Sequence, residues 1–306
     1  SQVYVKGNLI SLPTLEDSDF DGLGDSIDSY AFDNTFTGQM VTSYANSKID
    51  CKMDYRWFFW DNTVYNPDLS KLSILFASEI YAGSTLSMAG TNNTNTATNK
   101  SIAQLMSYFG LQNARSKSLH GVYNDDHLTE VALGYHNVVY GGELRTVVAV
   151  TIRGTNGTIQ EWSSNCDIGD IRTDTPDDDW VNTLNHKGFD TTATRVMREI
   201  DNFIMESDLH PEGLIYWVTG HSRGAAIANI LGANLEKAGK TAFTYTFAAP
   251  NTTMATDAKS YKTIFNIINE DDFVPCLPMA AWGYTRYGRS TVAVSVAKSY
   301  EKVWEK

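Results

Sequence analysis

Apolar residues along this chain cluster in short runs separated by polar, glycine-bearing turns, and their spacing alternates between strand and helix periods. Leu214-Ile215-Tyr216-Trp217-Val218-Thr219 is short, apolar and rich in β-branched and aromatic residues, which predicts a buried strand. Residues 225–231 and 234–237 follow as a helix closed by Gly239. Residues 131–140 and 144–153 form two apolar runs joined around Gly141-Gly142, the pattern of a hairpin, and 146–152 reads as a central strand. Residues 241–248 and 263–269 predict two further strands. Val196, Ile200, Phe203 and Ile204 mark a surface helix over 195–205. Earlier in the chain, Leu72, Leu75, Phe76 and Ile80 predict a helix over 70–82 with one buried face, and 102–109 predicts another, ended by Gly110. The aromatic block 55–60 reads as a packed strand and the polar 90–99 as an exposed loop. Helices between strands from 190 onward imply right-handed crossovers. The fold class is therefore α/β, a mostly parallel sheet with helices on both faces.

Composition narrows the partners. The chain has 306 residues, room for one large α/β domain and a small extra segment. We divide it at 1–44, an N-terminal segment, and 45–306, the α/β domain. Its net charge of -12 argues against nucleic acid and anionic membrane surfaces. No run of about 18 apolar residues occurs, so no helical membrane span is expected. The opening Ser1-Gln2-Val3-Tyr4-Val5-Lys6-Gly7 lacks the pattern of a signal peptide and resembles a mature start. Cys51, Cys166 and Cys276 are widely spaced, without paired metal-ligand spacing, and are expected to be unpaired structural residues.

The first thirty residues carry chemistry of their own. Asp17, Asp19, Asp21, Asp25 and Asp28 fall at loop positions 1, 3, 5, 9 and 12, with Gly22 at 6 and the Leu23 carbonyl at 7. That is an oxygen-ligand pattern for calcium. Asp28 stands where the longer glutamate is usual, and Pro13 argues against a helix leading in, so the segment is closer to aspartate-rich extracellular calcium repeats than to a paired EF-hand. A structural calcium ion and an extracellular or cell-surface location are the expectations. No organic cofactor is implied. The acidic stretch 167–179 is too irregular for a second site and reads as a solvated loop.

Gly220-His221-Ser222-Arg223-Gly224 lies between the predicted strand and the predicted helix, the context of a nucleophile elbow. Glycines allow the tight turn and Ala225 and Ala226 allow the helix to approach the strand. Serine attack on an ester needs a base, an acid to orient it, and amide donors for the oxyanion. After the strand at 263–269, Glu270, Asp271 and Asp272 all qualify as the acid by spacing.

Six pieces in order carry a closer resemblance: Ile152-Arg153-Gly154-Thr155, Glu161-Trp162 with Asn165, His186-Lys187-Gly188-Phe189, Gly220 to Gly224, Phe247-Ala248-Ala249-Pro250, and Asn269 to Pro278. Together they resemble the class 3 lipases, the fungal triacylglycerol lipases and their bacterial relatives, of the α/β-hydrolase fold. The resemblance implies Ser222 as nucleophile, Asp272 as acid, and Thr155 and Arg223 as the oxyanion hole. It further implies a lid following Thr155, through Ile159, Trp162 and Ile168. Its partners would be a lipid or other ester substrate, with transient contact with a lipid interface and no nucleic acid. His186 would be structural.

One residue departs from the pattern. The histidines are His120, His127, His136, His186, His210 and His221, and none follows Asp272. The expected function is a secreted serine carboxylic ester hydrolase. The histidine is then expected from a natural chain that continues past residue 306; the alternative is a catalytically silent lipase-like binding or cell-surface module that lacks it.

Overall fold

Alternation along two adjacent strands divides the interior into two cores, one on each side of a sheet. In the computed structural model, residues 4–5, 8–9, 35–41, 48–81, 98–119, 129–154 and 184–292 are described. Seven strands lie side by side in the order of the sequence: β5 (Gln112–Leu119), β6 (Thr129–Tyr140), β7 (Glu143–Ile152), β8 (Leu214–His221), β9 (Thr241–Phe247), β10 (Ile264–Ile268) and β11 (Arg289–Val292). β5, β6 and β7 pair antiparallel, and β7 through β11 pair parallel. On β7 and β8, Val147, Ala149, Ile215 and Trp217 enter one core, while Val148, Val150, Ile152, Leu214, Tyr216 and Val218 enter the other. The side-chain period of two assigns each neighbour to the opposite face.

Helices cover both faces, as the sequence pattern predicts. On the first face lie α1 (Pro67–Glu79) and α2 (Thr98–Tyr108). On the second lie α3 (Lys187–Glu206) and α4 (Arg223–Lys237). Asn66 caps α1, its side chain accepting from the amides of Asp68 (3.0 Å) and Leu69 (3.1 Å), with Pro67 in the first turn. No helix among the described residues is long and apolar enough to cross a membrane.

Three differences from the sequence reading have physical causes. Residues 55–60 do not form a strand: Tyr55–Phe59 is a 3-10 helix, capped by the Asp54 carboxylate, which accepts the Arg56 amide at 3.1 Å. Its aromatics report burial, since Tyr55, Trp57 and Phe58 all face the core, but the capping aspartate decides the backbone. The helix expected over 195–205 begins at Lys187, because Gly188 and three threonines mask its first two turns. β5 and β11 carry too little apolar alternation to read as strands; all four residues of β11 are exposed.

Two antiparallel pairs precede the sheet: β1 (Tyr4–Val5) with β2 (Asn8–Leu9), and β3 (Thr35–Val41) with β4 (Lys48–Asp54). β3 and β4 lie on either side of position 44, and Phe36 meets Tyr55 and His136 edge-on. The aspartates of the calcium pattern, Asp17, Asp19, Asp21, Asp25 and Asp28, and Leu23 lie outside the described residues, as do the stretches 90–97 and 167–179. Among the described residues no group of three His, Cys, Asp or Glu side chains is placed to hold a metal.

Candidate active site

Parallel strands send their carboxyl ends to one edge, where α/β proteins form their ligand crevices. Here β7, β8, β9 and β10 bring Gly154, Ser222, Ala248 and Asp272 to the same end of the sheet. Ser222 is the single residue between β8 and α4, at φ 56° and ψ -125°. A non-glycine residue in that region costs about 1–3 kcal/mol, so the surroundings must impose it. They do: the Ser222 amide donates to the Phe247 carbonyl at 2.9 Å, and its carbonyl accepts the Ala226 amide at 3.1 Å.

Close approach explains the flanking glycines. A Cβ on Gly220 would lie 2.5 Å from the Gly224 carbonyl oxygen, and one on Gly224 would run into the Ile152 carbonyl oxygen. The elbow therefore needs glycine at both positions for space. Arg223 opens α4, and the first amides of a helix point past its N-terminus.

The acid loop discriminates among its three carboxylates. Asn269 accepts the Asp271 amide on its side chain at 3.1 Å and the Asp272 amide on its carbonyl at 3.2 Å. Glu270 and Asp271 point to solvent, whereas Asp272 is half-buried and its Oδ1 accepts the Val274 amide at 2.9 Å. Behind the loop, Arg286 is buried and its Nη2 donates to the Pro275 carbonyl and, at 2.9 Å, to Asn251 Oδ1. Burial lowers the Arg286 pKa. Asn251 in turn donates from Nδ2 to the Pro278 carbonyl at 2.8 Å. Next to it, Asn229 of α4 donates to Asn266 Oδ1 and to the Tyr287 carbonyl, both at 2.9 Å, fixing the stretch that leads into β11.

Among the described histidines, none stands where a serine base would be expected from the loop after Asp272. His136 stacks on Tyr55 with ring centroids 3.7 Å apart and meets the Gly110 carbonyl at 2.9 Å. It pairs with Val147, which pairs with Ile215. Seven residues separate Ile215 from Ser222, roughly 20 Å along a strand. His210 is exposed at the amino end of β8. His186 immediately precedes α3, buried and stacked on Phe189 at 4.3 Å. His221, adjacent to Ser222, turns its Nδ1 to the Tyr81 hydroxyl at 3.3 Å. Burial, the larger effect, lowers its pKa, and the Asp272 carboxylate partly offsets this.

Thr155, Glu161, Trp162, Asn165, His120 and His127 lie outside the described residues, as does the expected lid. Arg153 and Gly154, immediately before Thr155, are at the end of β7. Tyr81 was invisible as a site residue: it ends a predicted amphipathic helix and belongs to no motif. Cys51 is buried and Cys276 is exposed; Cys166 lies outside the described residues.

Residues 149–282 match the family model described as lipase (class 3), a span that runs from within β7 to just past the acid loop. Similar solved structures include a triacylglycerol lipase whose catalytic centre is described as a serine protease triad, 23% identical over 57% of this chain and 64% of that one, with a TM-score of 0.42. A lipase from Rhizopus microsporus var. chinensis is 19% identical over 74% of this chain and 75% of that one, with a TM-score of 0.47. The Rhizomucor miehei triacylglyceride lipase is 20% identical over 73% and 77%, with a TM-score of 0.44. This chain thus spans 64% of the length of the first of them. No curated protein matches it.

Proposed function

We propose that this chain, a member of the class 3 lipase family with the α/β-hydrolase fold, is a serine carboxylic ester hydrolase acting on lipid or related esters. The observation that carries the reading is the Ser222 backbone, held at φ 56° between β8 and α4 beside the half-buried Asp272 loop. A strained serine at a helix N-terminus is a costly arrangement for packing alone and a productive one for acyl transfer.

In the proposed reaction, Ser222 Oγ attacks the ester carbonyl while its proton passes to a base. The developing oxyanion is met by the amides of Arg223 and Thr155. The alkoxide leaves with the proton, giving an acyl-enzyme, and water reverses the sequence to release the acid. Asp272 would orient and electrostatically support an imidazole base. Calcium, held by Asp17, Asp19, Asp21, the Leu23 carbonyl, Asp25 and Asp28, would be structural; that proposal rests on the all-oxygen donor set. Its occupancy and secretion to a calcium-rich exterior form one proposal.

The second reading is a lipase-like module that binds esters or a surface without turning them over; the two differ in whether a histidine base serves Ser222, and residues 273–306 hold none. Hydrolysis of p-nitrophenyl esters of graded chain length, by the protein and by Ser222→Ala, decides between them. The enzyme reading expects a loss of on the order of 10³-fold or more in the variant. Equal rates for both proteins would sink it.

A further inference from the structure

The face of β8 that looks toward α1 presents Trp217, Thr219 and His221 at alternate positions, and each is hydrogen-bonded to the α1 segment. Trp217 Nε1 donates to Ser73 Oγ at 2.8 Å, and Thr219 Oγ1 donates to the Ser73 carbonyl at 3.2 Å. The third bond joins His221 Nδ1 and the Tyr81 hydroxyl at 3.3 Å. The spacing is commensurate. From Ser73 to the helix end at Glu79 α1 rises about 9 Å, Ile80 and Tyr81 continue past it, and four residues of strand from Trp217 to His221 rise about 13 Å. The Tyr81 ring is thus carried to the carboxyl end of β8 by a helix bonded to that strand further down.

At that end the Tyr81 hydroxyl has a second partner. It accepts the Gly154 amide at 2.9 Å, and it lies 3.5 Å from the His221 carbonyl. Gly154 has no room of its own: a Cβ there would meet the Tyr81 hydroxyl, the His221 carbonyl at 2.8 Å and Ser222 Cβ at 3.5 Å. The phenol therefore occupies the gap between the ends of β7 and β8. There the ladder between them stops, at the pairing of Ile152 with Gly220. A tyrosine hydroxyl carries one proton and two acceptor positions. Accepting from Gly154 leaves its own proton for His221. Two acceptors of that residue are in reach: its carbonyl oxygen at 3.5 Å and, in the tautomer that leaves Nδ1 unprotonated, its ring at 3.3 Å.

We propose that Tyr81 is a positioning residue for the esterolytic reaction, fixing the peptide that leads into Thr155 relative to the peptide that leads into Ser222. The inference rests on the serine hydrolase reading above. The nucleophile and one oxyanion donor come from different strands, and nothing in the backbone ladder beyond Ile152 and Gly220 sets their spacing. Tyr81 does so through one oxygen atom. It touches neither substrate nor reacting atoms. Its effect is geometric, and displacement of a catalytic group by about 1 Å costs on the order of 100-fold in rate.

The test compares the protein with Tyr81→Phe and His221→Asn, by steady-state hydrolysis of p-nitrophenyl butyrate and by the rate of Ser222 labelling with a fluorophosphonate. Tyr81→Phe keeps the ring and removes the oxygen. We expect kcat and the labelling rate to fall roughly 10- to 100-fold with KM changed by less than about twofold. His221→Asn, which leaves the Gly154 bond in place, should lose less than Tyr81→Phe, and the double variant should be no worse than Tyr81→Phe alone. A purely structural tyrosine would lower the melting temperature and leave kcat and the labelling rate of the folded protein unchanged; that result overturns the proposal. Should Tyr81→Phe fail to fold, His221→Asn carries the test, and a rate equal to that of the unaltered protein overturns it. If the unaltered protein is itself neither labelled nor active, the hydrolase reading fails and takes this inference with it.

Discussion

Arg153 Nη1 lies 2.6 Å from Glu130 Oε2, and both side chains are buried, 10% and 3% exposed. The Arg153 amide also donates to the Glu130 carbonyl at 2.9 Å, and Ser116 Oγ donates to Glu130 Oε1 at 3.0 Å. Strand β6 thereby clamps Arg153, the residue that follows β7 and precedes Gly154. Removing one member of a buried pair strands the other charge, at about 3–5 kcal/mol. Glu130→Ala should lose that much in urea denaturation. Replacing both residues by apolar ones of similar volume should recover most of it. A loss under about 1 kcal/mol for Glu130→Ala would show that water reaches the guanidinium.

Two glycines separate crowding from backbone conformation. At Gly224 an added Cβ would collide with the Ile152 carbonyl, while at Gly239 the φ of +70° is the whole constraint, with nothing within 4 Å. Gly224→Ala should cost about 3 kcal/mol or more and abolish labelling of Ser222. Gly239→Ala should cost about 1–2 kcal/mol and leave the site intact. Thermal melts of both variants check the order; equal costs would contradict it.

Exposure separates the neighbouring carboxylates 271 and 272. Under the hydrolase reading, Asp272→Asn should lower kcat on the order of 10³-fold, with little change in stability because an amide oxygen can still accept the Val274 amide. Asp271→Asn, at an exposed position, should stay within about twofold. Comparable losses in both would remove Asp272 from its role.

His221 gives the molecule a pH-dependent element with a defined sign. Burial lowers its pKa in the folded protein below the ordinary 6.5, with the Asp272 charge acting in the opposite direction. Between the two values the unfolded chain binds more protons, so stability rises with pH across that window. The contribution is complete above about 6.5 and is lost as pH falls through the folded value. Titration of the His221 imidazole by NMR should show the depressed pKa, and Asp272→Asn should depress it further. A rise in that variant would mean that Asp272 does not face the ring.

The elbow, the central strands and the acid loop were legible because each carries a local requirement: small residues where backbones touch, and uninterrupted apolar runs where both faces are covered. Asp272 could be chosen among three acids only by family pattern; in the fold it is the half-buried one of the three. Tyr81 was not legible, since its importance comes from pairing with Gly154, 73 residues away. Likewise nothing in the sequence singles out Arg286, whose partners Pro275 and Asn251 lie 11 and 35 residues away. The 55–60 block misled because aromatic content announces an interior position without naming a backbone.

The sheet's neighbours in space are its neighbours in sequence from β5 through β11. Such a sheet can grow like a row of tiles, each strand docking on an edge already laid, with no strand having to insert between two earlier ones. As the chain leaves the ribosome, β7 can pair with β6 before any of β8 exists, and Ser222 receives its carbonyl partner only when Phe247 arrives. The strained serine is therefore set late, after the strands beneath it have been laid. A chain arrested before β9 should hold a folded antiparallel edge and a relaxed, unreactive elbow.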